Sequence, residues 1–156
     1  MTGAGTPVLC EGRPWGGNRA VRATTTLGND LAELPEALDW LEAMLRAAGV
    51  GEAVVGELRL VAEEGLSNVI QHAYADTARH SIEVTVEIGG GEIQLVLRDD
   101  GRPFSPMGAP APDLGAPVEH RPAGGLGIHL FRSLVDRADY QRENDTNVLR
   151  LVKRSE

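Results

Sequence analysis

Apolar residues recur at two different periods along this chain. Leu34, Leu38, Leu41, Leu45 and Ala48 repeat at helical spacing, Pro35 fits only a first turn, and the stripe stops at Gly49, a typical residue just past a helix C-terminus. From about residue 52 to 74 the helical period continues, with Val54, Leu58, Val61, Ala62, Gly65, Leu66 and Val69 on one broad face that must be buried. The period then drops to two. Residues 81–88 (SIEVTVEI) and 92–99 (EIQLVLRD) alternate apolar with polar and are joined by Gly89, Gly90 and Gly91, which predicts a β-hairpin. A first strand is predicted over 20–27 (AVRATTTL), and two closing strands over 138–142 and 147–153 flank the polar turn 143–146. Between the hairpin and the closing strands, Leu126, Leu130, Leu134 and either Phe131 or Val135 give a third helix its apolar side. The order β, α, α, β, β, loop, α, β, β predicts an α/β two-layer sandwich: a mixed, mostly antiparallel sheet of about five strands, covered on one face by three helices. Strand and helix do not alternate, so a doubly wound dinucleotide fold is not expected.

Polar groups sit at telling places in these patterns. Glu64 and Asn68 are four residues apart on the long helix, roughly 40° from each other around its axis, and His72 extends the row by one turn. Glu63 points elsewhere, towards solvent. Taken alone, the row reads as the polar edge of an amphipathic helix. Two residues argue for more: Asn is a poor helix-interior residue, and Gly65 costs on the order of 1 kcal/mol relative to Ala, so it marks a close approach by something else. On the second hairpin strand, parity puts Asp99 on the face of Ile93, Leu95 and Leu97, so a carboxylate ends a buried row and needs a hydrogen-bonding partner there. Asp100 has the opposite parity and should face outwards.

Residues 101–125 (GRPFSPMGAPAPDLGAPVEHRPAGG) are longer than a compact domain usually tolerates in a plain connection. Their end, GGLGIHL, brings Gly124, Gly125 and Gly127 to a helix start, where unpaired backbone N–H groups can approach an anion. A flexible connection with tight helix packing explains an isolated glycine cluster equally well.

Composition narrows the function classes. A length of 156 residues, 42% hydrophobic and 24% charged, predicts one globular domain at 20–156 behind a Gly- and Pro-rich flexible tail at 1–19 that carries Trp15 and the single cysteine, Cys10. A formal net charge of −8 argues against a broad nucleic-acid-binding surface. No apolar run long enough for a bilayer and no signal-peptide pattern are present, which predicts a cytoplasmic protein with no membrane partner.

Glu64-x-x-x-Asn68 on a helix, Asp99-x-Gly101 at a strand end and Gly125-x-Gly127 opening a helix after a long loop occur in this order. The set resembles the N, G1 and G2 boxes of the Bergerat-fold ATP-binding superfamily, which includes gyrase-type and histidine-kinase ATPase domains. The strings EGLSNVIQHAY, DDGRPF, GGLGIHL and NVLRLVK are most similar to its stand-alone branch, bacterial anti-sigma factors that are also serine/threonine-protein kinases. The resemblance runs from about residue 20 to 153. It implies ATP and Mg²⁺ as cofactors, Asn68 as the Mg²⁺ ligand, Glu64 as general base, Asp99 and Gly101 on the adenine, Gly125, Leu126 and Gly127 on the phosphates, Thr146 completing the adenine pocket, and 102–124 as an ATP lid. It further implies phosphorylation of a serine on an anti-anti-sigma (antagonist) protein, sequestration of a sigma factor, and a homodimer. A nucleotide-dependent protein-binding regulatory module with little or no kinase activity is the alternative. An ATPase coupled to a transducing domain, or a histidine autokinase with its own dimerisation helices, would need segments this sequence is not expected to contain. Two departures stand out: Pro103 occupies the place of a second G1 glycine, and the lid offers only Arg121 and Arg102 as cations for a γ-phosphate.

Overall fold

The structure, a computed structural model, describes residues 20–103 and 131–155. The predicted tail at 1–19 and most of the predicted lid, with Arg121 and the glycine cluster, lie outside the described residues. Five strands form one sheet in the order β1-β2-β3-β5-β4, where β1 is Val21–Gly28, β2 Ser81–Gly89, β3 Glu92–Asp99, β4 Arg137–Glu143 and β5 Thr146–Arg154. Helix α1 (Leu34–Ala47) and helix α2 (Glu52–His72) pack on it, and residues 131–134, here α3, are also helical.

The sheet departs from the expected mixed one, since all four strand pairings are antiparallel. After β3 the chain passes over one strand position to the edge, lays down β4, and returns as β5 into the gap. β4 therefore runs parallel to β3, with β5 always between them. Both hairpins close through two residues with positive φ, Gly90 (62°) and Gly91 (77°) in one, Asn144 (49°) and Asp145 (62°) in the other. This is the backbone that matches the twist of paired strands, and Asn and Asp tolerate it best among residues with side chains.

Pleat parity sends Ile82, Val84 and Val86 from β2, Ile93, Leu95 and Leu97 from β3, and Leu149 and Leu151 from β5 towards the helices. They meet Leu38, Leu41 and Leu45 of α1 and Val55, Leu58, Val61, Ala62 and Leu66 of α2 in one buried cluster. Two details differ from the predicted helical faces. Val55 is buried and Val54 only partly so, because α2 lies against both α1 and the sheet and its buried arc is wider than a single stripe. Ala48 is exposed and Val50 buried. Here α1 ends in a Schellman motif: Gly49 N–H donates to Arg46 O (3.0 Å) and Val50 N–H to Leu45 O (3.1 Å), with Gly49 at φ 81°, which folds Val50 back onto the core. Leu58→Ala, emptying the centre of the helix–sheet layer, should cost about 3 kcal/mol, read as a fall of roughly 10 °C in melting temperature.

Candidate functional site

At one end of the sheet, the last turns of α2, the end of β3, the start of β5 and Phe131 enclose a hollow. Its apolar walls are Gly65 and Val69 of α2, Leu97 of β3, Leu149 of β5 and Phe131. Its polar groups are Asn68, His72, Asp99, Arg102, Tyr140 and Asn147. Counting the part open to solvent, it holds about 510 Å³ of empty space. Gly65 earns its mid-helix place here: a Cβ on it would lie 2.8 Å from Leu97 Cδ1 and 3.4 Å from Phe131 Cζ.

Asp99 is the buried acid that strand parity predicts, 6% exposed. Burial raises its pKa above the ordinary carboxylate range. Hydrogen bonds from Asn147 and Gly101 oppose that rise, as does the nearby Arg142, while the adjacent Asp100 adds to it. Both hydrogen bonds fall on one oxygen, Oδ1: Gly101 N–H donates at 3.0 Å and Asn147 Nδ2 at 2.9 Å. Among the described residues none bonds to Oδ2, which can accept a donor from whatever enters the hollow. Gly101 cannot be another residue without movement, since a Cβ would lie 2.5 Å from Ala73 Cβ and 2.7 Å from the Ala73 carbonyl oxygen. The same carbonyl accepts Arg102 N–H at 2.8 Å, locking the end of β3 to the C-terminus of α2.

Asn147 holds this corner from the other side. It lies directly opposite Asp99 in the β3–β5 register. Its Nδ2 also donates to Arg102 O at 2.8 Å, and its Oδ1 accepts Arg142 Nη1 at 2.9 Å and the Tyr140 hydroxyl. Arg142 Nη1 reaches Gly101 O as well, at 3.0 Å. An apolar slot ending in one available carboxylate oxygen suits a flat heterocycle with an exocyclic amine, and the Asn68 carboxamide adds a neutral oxygen at the same hollow.

A family model described as the histidine kinase-like ATPase domain matches residues 27–153. The chain belongs to that family. Within the histidine kinase-like ATPase family it is similar to the serine/threonine-protein kinase BtrW of Bordetella bronchiseptica, 29% identical over 120 residues that span 77% of this chain and 84% of BtrW. It is also similar to the serine-protein kinase RsbW of Bacillus mycoides, 29% identical over 101 residues, 60% of either chain, so it spans about three-fifths of that relative. In fold it matches the crystal structure of the RsbU and RsbW domains of Rv1364c from Mycobacterium tuberculosis, with a TM-score of 0.60 at 15% identity over 85% of this chain and 32% of that one. The α/β two-layer fold and the resemblance drawn from the sequence both agree with these matches.

Among the residues singled out from the sequence of this ATPase-family chain, Asn68 and Asp99 line one hollow, and Gly101 adjoins it through Asp99. Glu64 is half-buried one turn earlier on the same flank of α2, outside the hollow's lining. Thr146 is not part of the lining. It precedes Asn147 by one residue, so parity turns it to the other sheet face, and Asn147 stands where a polar residue opposite Asp99 is required. Gly125, Leu126 and Gly127 lie outside the described residues. Arg102 donates its guanidinium to the His72 carbonyl at the C-terminus of α2, where a cation also complements the helix dipole. Asn147 was missed because nothing local distinguishes it from Thr146; only the pairing with β3, some fifty residues away, selects it.

Proposed function

We propose that this chain binds ATP with Mg²⁺ in the hollow and transfers the γ-phosphoryl group to a serine of an anti-anti-sigma antagonist protein, holding a sigma factor when that antagonist is absent or phosphorylated. The observation that carries the reading is Asp99: a buried carboxylate at the end of an apolar slot, with one oxygen doubly occupied and the other unbonded among the described residues. The kinase names of BtrW and RsbW support the phosphoryl-transfer part. The proposed working form is a cytoplasmic homodimer.

In this proposal Asp99 Oδ2 accepts a hydrogen bond from the adenine amino group, and the apolar walls take the ring. Gly101 keeps the backbone close to the base. The residues present fit a hard cation arriving with the nucleotide, which the neutral Asn68 carboxamide oxygen at the hollow would help to hold. When bound, Mg²⁺ supplies neutralisation of the phosphate charge. Glu64 takes the serine proton as the serine oxygen bonds to the γ-phosphorus and the bond from that phosphorus to the β–γ bridging oxygen breaks, leaving ADP and a phosphoserine. Backbone N–H groups of Gly125, Leu126 and Gly127 hold the phosphates in the reading that the sequence resemblance supports.

Glu64→Gln should lower phosphoryl transfer by about 10²–10⁴-fold while changing ATP affinity less than about twofold. Transfer at the wild-type rate in that variant would sink the base assignment. A second reading, a nucleotide-dependent binding module without transfer, is favoured by one observation: the guanidinium groups of Arg102 and Arg142, both beside the hollow, are engaged with backbone carbonyls. Labelled ATP mixed with antagonist protein separates the two, since the module binds nucleotide and leaves the serine unmodified.

A further inference from the structure

Outside the hollow, the segment joining α2 to β2 carries an arrangement that the functional reading does not use. His80 has a carboxylate at each ring nitrogen, Asp76 Oδ1 at 2.7 Å from Nε2 and Asp100 Oδ1 at 3.4 Å from Nδ1. Neutral imidazole has one N–H, so only the imidazolium can donate towards both acceptors. The ring stacks on Tyr74, with centroids 4.1 Å apart and planes 12° from parallel. The backbone is pinned too: His80 N–H donates to Asn29 Oδ1 at 2.9 Å and His80 O accepts Asn29 N–H at 3.1 Å.

The two ends of this clamp matter. Asp76 belongs to the segment after α2, whereas Asp100 directly follows Asp99 and precedes Gly101. Ala73, one residue before Tyr74, already holds Arg102 through its carbonyl and abuts Gly101. The His80–Asp100 contact is therefore a second tie between the same two segments, on the far side of Gly101 from the first.

We propose that His80, in its doubly protonated form, is a positioning residue for the Asp99–Gly101 corner of the nucleotide site, so that adenine affinity rises with protonation of a side chain lying outside the hollow. This rests on the nucleotide reading given above. Other ionisable groups around His80 are accounted for. On its own segment, the buried Tyr74 hydroxyl has its pKa pushed up by desolvation and by Asp99 and Asp100, and Arg79 turns to Glu33 at 2.7 Å. From β3 come Asp99 and Asp100; from the β1–α1 junction, Asp30 accepts from Ala32 N–H and Glu33 takes Arg79 and Gly28 N–H. The hydrogen bond with Asp76 is the main cause holding His80 above the ordinary histidine value, with Asp100 adding to it. The sign follows. The clamp is complete below about pH 6.5 and is lost as pH rises through the higher value of folded His80.

Adenosine is the probe of choice because it carries no phosphate that titrates in this range. With the full chain, adenosine affinity should weaken by roughly two- to fivefold between pH 5.5 and 8.5, the size expected for partly exposed ion pairs. By linkage, saturating adenosine should raise the His80 pKa, followed by NMR, by the logarithm of the same factor. His80→Gln should flatten the affinity profile, and Asp76→Asn, which keeps a neutral acceptor, should move the profile to lower pH. A flat wild-type profile overturns the inference. So does a wild-type-like profile in His80→Gln, which would assign the titration to another group. Adenosine binding that leaves the His80 titration unchanged overturns the inference alone, whereas no adenosine binding at any pH overturns the nucleotide reading and this inference with it.

Discussion

Asp99→Asn is expected to turn a preference for adenosine into one for inosine. The substituted side chain must keep an oxygen towards Gly101 N–H and Asn147 Nδ2, the two donors that now share Oδ1 at 3.0 and 2.9 Å. Its NH₂ group then takes the Oδ2 position and offers a donor where the carboxylate offered an acceptor. An exocyclic amine would face that donor without a partner, and a 6-oxo group would pair with it. Loss of a hydrogen bond to a charged group, with its partner left unpaired, amounts to about 3 kcal/mol, so adenosine affinity should fall on the order of a hundredfold. Competition between adenosine and inosine, measured by NMR on both proteins, checks the result. A fall that is equal for the two nucleosides would mean that Asp99 only supports the fold.

The second large effect is expected at Gly101. Its would-be Cβ meets Ala73 Cβ at 2.5 Å, the Ala73 carbonyl oxygen at 2.7 Å and Asp99 Oδ1 at 2.9 Å. Two of these are difficult to move: the carbonyl is backbone and already accepts Arg102 N–H, and the carboxylate is held by Asn147. Gly101→Ala must therefore push β3 away from α2, breaking the Arg102 N–H bond, the Asp99–Gly101 bond or both. A cost of about 2–4 kcal/mol is expected, visible as a lower melting temperature, together with loss of nucleotide binding. Adding Ala73→Gly removes the Cβ contact but not the carbonyl contact, so the double variant should recover only part of the stability. Full recovery would mean that the carbonyl clash does not matter.

What could be read from the chain, and what could not, follows the range of the interactions involved. The hairpin glycines, the parity of Asp99 and the helical flank shared by Glu64 and Asn68 depend on residues within a few positions of one another, and the five strands and the first two helices lie where the periods put them. Asp100 is exposed, as parity requires, yet its contact with His80 brings together positions twenty residues apart and left no mark in either local pattern. The same holds for Asn147, which only the register with β3 picks out over Thr146. The choice of Val55 over Val54 reflects packing of α2 on two partners at once, which a single-face projection cannot represent. The all-antiparallel sheet arises because β5 returns into the space beside β3, a topological choice that strand periodicity does not encode.

The central claim is that the hollow beneath Asp99 receives the adenine of a nucleotide. Methyl-labelled protein titrated with ADP and Mg²⁺ tests it most directly, because Val69, Leu97, Leu149 and Ala73 line the hollow while Leu38, Leu41 and Leu45 lie in the core under α1. Saturable shifts of the first four methyl sets, with the α1 leucines unchanged, are the predicted result. Shifts absent from those four, or confined to residues elsewhere, would contradict it.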